Sequence, residues 1–239
     1  MKVDLFVPCI IDQFYPDVAF NTLKLFRNLN IDFEYNPEQT CCGKSAFNDG
    51  QIHEAKALAD KFLTEFSGER IIVTLSPSCG AYIRQEYPHF YQESNKLEKS
   101  KLVSSKVYEL TDFLVNKLKI KNTDAEFSAK VTFHDSCSAL YKYGLKNEAR
   151  ILLKNVKGLE IIEMKETDVC CGYGGSFATQ FKHISTCMTA QKVQNALETG
   201  AEYIVSTEAS CLMNMEAYIR KQKLPIKTIH IANILASGI

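Results

Sequence analysis

The chain has no surplus of charge: 28 lysines and arginines balance 28 aspartates and glutamates across 239 residues. A neutral chain offers no electrostatic footprint for nucleic acid or an anionic membrane surface, so neither is expected as a partner. The lysine-rich stretch Lys96–Lys106, which also holds Glu98, reads as a solvated face. Long apolar runs are missing too. No stretch approaches the ~18 residues of a membrane-spanning helix, so no transmembrane segment is expected. The opening MKVDLFVP runs directly into an apolar strand with no signal-peptide pattern. A reducing cytoplasm is therefore the expected setting, and lasting disulfides are rare there.

Several catalytic signatures are also lacking. The Gly-rich run at Gly172–Gly175 is GYGG, which is neither the dinucleotide pattern G-x-G-x-x-G nor a phosphate loop ending in G-K-[ST]. No G-x-S-x-G elbow and no H-E-x-x-H helix occurs.

Cysteine is abundant instead, with nine in the chain, and eight of them form one pattern written twice. In the first copy 31 residues separate Cys9 from Cys41-Cys42-Gly43, and 36 separate Cys42 from Cys79. In the second, 32 separate Cys137 from Cys170-Cys171-Gly172, and 39 separate Cys171 from Cys211. Such a register implies a duplicated cysteine site. Adjacent cysteines make poor disulfides, and buried free thiols do not explain a repeated C…CCG…C, so thiolate ligation of a metal or cluster is the expected chemistry. Cys187 lies outside the repeat and is expected to be a small apolar filler on a helix.

Each half alternates apolar strands with amphipathic helices. Strands are expected at Val3–Val7, Ile31–Tyr35 and Ile71–Leu75, then at Val131–Phe133, Leu159–Met164, Tyr203–Val205 and Ile226–Ile231. This order predicts an α/β fold of two tandem Rossmann-like repeats with parallel sheets, related by a pseudo-twofold axis. The polar run Lys119–Ala129 is the expected junction, which gives repeats at 1–122 and 123–239. All eight repeat cysteines then fall at strand C-terminal ends, the edge where open α/β sheets bind ligands. His134, three residues before Cys137, could ligate, hydrogen-bond a sulfur or move a proton, or could be a partly buried strand residue. His53, His89, His183 and His230 fall in no constellation and are expected to be structural.

The duplicated pattern, together with YELTDF at Tyr108–Phe113, CCGYGG at Cys170–Gly175, SCLMN at Ser210–Asn214 and IHIANIL at Ile229–Leu235, resembles the cysteine-rich CCG family over the whole chain. That family includes the B subunit of heterodisulfide reductase and the iron–sulfur subunit of glycolate oxidase, and the resemblance is closest to its lactate-utilisation members. It implies an iron–sulfur electron-transfer subunit of a system oxidising L-lactate, or another 2-hydroxy acid, to the 2-keto acid. It further implies companion lactate-utilisation proteins, one of them a ferredoxin-like iron–sulfur protein. The residues implied as ligands are Cys9, Cys41, Cys42 and Cys79 for one centre, and Cys137, Cys170, Cys171 and Cys211 for a second, with His134 as an additional candidate. The fullest family motif has a fifth cysteine per repeat. Here Ser76 and Glu208 stand three residues before Cys79 and Cys211, and Tyr82 and Asn214 three after. Ser138 likewise stands where reductase-type members often carry histidine. Four thiolates per repeat suit a [4Fe–4S] cluster, one or two per chain, or structural zinc, so the family's double cluster is not expected to transfer. The zinc alternative makes the chain a scaffold or assembly protein built on the same cysteines.

Overall fold

The computed structural model describes residues 1–239. The first sheet contains β1 (Lys2–Phe6), β2 (Asp32–Tyr35), β3 (Ile72–Thr74) and β4 (Val107–Glu109) in the order β2-β1-β3-β4. The second contains β5 (Glu126–Phe133), β6 (Lys157–Ile161), β7 (Tyr203–Ser206) and β8 (Lys227–His230) in the order β6-β5-β7-β8. Every pairing is parallel and the two orders are the same, so the chain is two Rossmann-like α/β repeats. Interior strands β1 and β3 are buried almost throughout, as helices on both faces of a parallel sheet require, while edge strand β2 is mostly exposed.

Three elements differ from expectation; one is β6, which runs Lys157–Ile161 where Leu159–Met164 is expected. β4 overlaps the start of the YELTDF segment where no strand is expected, because three residues after a lysine-rich helix are too few to show a period. β5 begins at Glu126, inside the polar run expected to join the repeats. Its first five residues alternate exposed polar positions, Glu126, Ser128 and Lys130, with half-buried Phe127 and Ala129, while the backbone already pairs with β6.

The largest apolar core belongs to both halves. Val3 and Leu5 of β1 pack in the same cluster as Val131 and Phe133 of β5, Val205 of β7, and Ile231 and Leu235 of the last helix. Each repeat adds a smaller cluster of its own, around Phe62 and Tyr87 in the first and around Val193 and Met215 in the second. Polar contacts also cross between the halves: the Tyr15 hydroxyl donates to Glu216 at 2.8 Å and Asn21 to Asn233 at 3.1 Å. The buried His230 accepts from the Ala232 N–H at 3.2 Å and so caps the last helix, a structural role as expected.

Glu109 ends β4 and caps the next turn, accepting from the Thr111 and Asp112 N–H groups and the Thr111 hydroxyl. Its other oxygen is buried with no partner. Burial pushes this carboxyl up to about 8 from its ordinary 4.5, although the hydrogen bonds from Thr111 and Asp112 to Oε2 pull the opposite way. The folded chain therefore keeps a proton that the unfolded chain gives up, and stability falls as pH rises from about 4.5 to about 8. Urea unfolding at pH 5 and pH 8 should show a loss on the order of 2–4 kcal/mol from this group. Glu109→Gln should remove that slope, and an unchanged slope in the variant would show that another group titrates.

Candidate metal centre

The cysteines reach their positions through the ends of strands. Cys9 opens the helix Cys9–Phe14 after β1, Cys41-Cys42-Gly43 precedes the helix Lys44–Asn48 after β2, and Cys79 lies in the first turn of Pro77–His89 after β3. The second repeat does the same. Cys137 precedes a π-helical turn, Ser138–Tyr143, after β5; Cys170-Cys171-Gly172 lies between β6 and the helix Ser176–Gln180; Cys211 begins Ala209–Gln222 after β7. Two glycines make these loops possible. Gly43 and Gly172 hold φ of +88° and +84°, and a Cβ on either would meet the carbonyl oxygen of Ala55 or Ser185, at 3.1 and 2.7 Å. Each glycine N–H also donates to the sulfur two residues back, Cys41 at 3.4 Å and Cys170 at 3.3 Å.

Each set converges, and both sets line a single cavity of about 260 Å³ between the repeats. In the first set the Cys9 and Cys41 sulfurs are 3.6 Å apart, and those of Cys42 and Cys79 are 3.3 Å apart. In the second, His134, Cys171 and Cys211 place their ligand atoms within 4.8 Å of one another, and all three residues are buried. Cys137 is the exposed member of the eight. Cys187 lies on the helix Lys182–Leu197, away from both sets, and its side chain is exposed. It is not the apolar filler expected from sequence, because the helix turns that position to solvent.

Ser76 and Glu208 occupy equivalent positions in the two repeats, and they meet. The Ser76 hydroxyl donates to the two Glu208 carboxylate oxygens at 3.2 and 3.0 Å, the Ser78 N–H donates at 3.0 Å, and the Ser210 hydroxyl at 2.9 Å. Equivalent residues in contact are what a twofold relation produces at its axis. Glu208 therefore caps the first repeat's cysteine-bearing helix from the second repeat and fixes the two sets relative to each other. A second contact does the same nearby: Gly80, one residue after Cys79, leaves room for the Tyr143 ring, which a Cβ would approach to 2.8 Å.

The thiols are packed closely enough to share protons. Hydrogen bonds from Cys42 and Cys9, with the Gly43 N–H, hold Cys41 down to about 3. The neighbouring Cys41 and burial push Cys9 well up, and Cys41, Cys79 and burial do the same to Cys42. In the second set, Cys170 and burial push Cys137 up. A bound cation displaces such protons and takes the sulfurs as ligands, so the donor set fits a thiophilic metal or cluster. His134 supports the same fit. It is fully buried, and neither ring nitrogen makes a well-formed hydrogen bond. Burial and the nearby Lys192 ammonium pull the ring down to about 3, although the Thr167 carbonyl lies close enough to oppose this slightly, so the imidazole is neutral and free to act as a ligand.

Lys192 was not singled out in the sequence. It is buried beneath the second set, donates to the Glu166 carbonyl, and is pulled below its usual range by burial, against the attraction of Cys171 and nearby carboxylates.

The family described as a cysteine-rich domain, CCG, matches residues 3–84 and 131–216, one match in each repeat. The chain belongs to this family. It is 37% identical over 238 residues to lactate utilization protein A of Geobacillus sp. (strain WCH70), covering 99% of this chain and 100% of that protein. It is equally similar, 37% over 238 residues with the same coverage, to lactate utilization protein A of Bacillus subtilis (strain 168). Among solved structures it superimposes on a hypothetical protein from Helicobacter pylori with a TM-score of 0.68 at 11% identity. All of this chain is covered, but it spans about half of the other, at 49%, and the likeness speaks for the fold alone. No helix is long and apolar enough to cross a membrane.

Proposed function

We propose that the chain is an iron–sulfur electron-transfer subunit of a cytoplasmic system that oxidises L-lactate or a related 2-hydroxy acid. The observation that carries this reading is the convergence of all eight repeat cysteines on one cavity at the strand C-terminal ends. Cys9, Cys41, Cys42 and Cys79 would hold one group, and Cys137, Cys170, Cys171 and Cys211 the other, in repeats taken as 1–122 and 123–239. A thiolate-held iron–sulfur cluster supplies one-electron chemistry. The chain's own part is to hold the ligands, to set the polarity around them, and through Glu208 and Ser76 to keep the two sets at a fixed separation. Similarity to lactate utilization protein A along the whole chain supports lactate as the substrate of the system. The sequence carries no dinucleotide fingerprint, so the two-electron acceptor for the substrate carbon belongs to a companion protein. A ferredoxin-like iron–sulfur protein is the partner this scheme calls for.

Iron, sulfide and zinc quantitation on anaerobically prepared protein, with electron paramagnetic resonance, tests the cofactor. Brown protein with iron and sulfide is expected; colourless protein carrying zinc would make the chain a scaffold. A dye-reduction assay with lactate tests the division of labour. The purified chain should give no activity alone and should become active with its companions, whereas robust dye reduction by the chain alone would move the catalytic site into it.

A further inference from the structure

The cysteines of the two repeats are near-copies, but the layer behind them is not. In the first repeat that layer is aromatic. Phe6 at the end of β1 packs edge-on against Phe62 with ring centroids 5.1 Å apart, and against Phe66 at 5.9 Å, and all three are buried. The offset between Cys9 and Cys137 carries Phe6 onto His134. Gly43 abuts Ala55 and Leu58 where Gly172 abuts Ser185 and Met188. That is an offset of 130 residues (55 to 185, 58 to 188), and it carries Phe62 onto Lys192. A buried aromatic pair in one repeat is thus an imidazole and an ammonium in the other, 0% and 1% exposed.

Burying an ammonium and an unpartnered imidazole is costly. The first repeat is an internal control, since it shows that phenylalanine fills the equivalent places in the same fold. His134 lies against Cys171 and Cys211, and the Lys192 charge acts on both His134 and Cys171. The polar pair therefore faces the second cysteine set, where packing alone does not explain it.

We propose that Lys192 and His134 make the group held by the second cysteine set the more readily reduced of the two. This rests on the iron–sulfur reading. A positive charge and a polar ring beside a thiolate-held group favour its more negative, reduced form, whereas an aromatic wall disfavours added charge. Solvent acts in the same direction, because Cys137 is exposed while every cysteine of the first set is at least partly buried. Among other charged groups, Lys44 acts on Cys137 and adds to the effect, while Asp135, Glu166 and Asp168 around Lys192 and Glu208 in the cavity oppose it; Asp135 is held by Arg150, and Glu208 by Ser76, Ser78 and Ser210.

The test is an anaerobic potentiometric titration of the full chain followed by electron paramagnetic resonance, with iron and sulfide counted in every sample. The wild type should show two separate reduction steps, and Cys171→Ser should abolish the easier one. Lys192→Met should make that easier step at least tenfold less favourable, equivalent to 59 mV for one electron, and leave the other step in place. His134→Phe, which copies the first repeat, should move the same step in the same direction and serves if Lys192→Met does not fold. Coincident steps in the wild type, an easier step that survives Cys171→Ser, or variants that leave its position unchanged would overturn the proposal while the iron–sulfur reading stands. Zinc without sulfide in the wild type would overturn both.

Discussion

On the proposed iron–sulfur reading with both sets loaded, replacing Cys171 with serine should remove about half of the iron and sulfide per chain, because a buried hydroxyl is a poor ligand where a thiolate is needed. Cys171 is central to its set: buried, within 4.8 Å of the His134 and Cys211 ligand atoms, and fixed by a loop whose next residue, Gly172, has no conformational substitute. The first set is built from other strands and should stay loaded. Cys187→Ser is the matched control. It changes a cysteine of the same chain that is exposed on a helix and touches neither set, so iron content and thermal stability should match the parent. Equal iron loss in the two variants would mean that loading follows the number of thiols and not their placement.

The second large effect is expected at Gly172. An alanine there must adopt φ near +84°, and its Cβ would lie 2.7 Å from the Ser185 carbonyl oxygen and 3.0 Å from the Met188 Cβ. The left-handed conformation costs ~1–2 kcal/mol for a residue with a Cβ. The overlap is with helix backbone, which cannot rotate away, and overpacking of that kind adds ~1–3 kcal/mol. Gly172→Ala should therefore destabilise the metal-free chain by about 2–5 kcal/mol in urea unfolding. Gly43→Ala should cost less, because its nearest contact is 3.1 Å and a shift of a few tenths of an ångström relieves it. Equal costs at the two glycines would mean that the φ strain dominates and the close helix contact does not matter.

The repeats, the parallel α/β class and the placement of every repeat cysteine after a strand are legible in the amino-acid pattern. These follow from local information: interior strands are apolar runs because both faces are covered, and the cysteine spacing marks the same turn twice. The pattern did not show that β5 starts at Glu126, since a half-exposed strand carries the same polar residues as a linker, nor β4, whose three residues are too few for a period. It also misplaced Cys187, because one small residue on a helix does not reveal which way its face turns.

That the two cysteine sets share one cavity, that Ser76 meets Glu208 across the repeats, and that Lys192 is buried near His134 emerge only from the three-dimensional packing. Each of these joins residues far apart in the chain: Glu208 lies 132 positions after Ser76. The docking of one repeat on the other is set by a core to which both contribute, and nothing in either repeat's own pattern encodes it. A lysine in an amphipathic helix reads as solvated until the sheet it packs on is in place. Only then is its ammonium buried, bonded to the Glu166 carbonyl near the second cysteine set instead of to water.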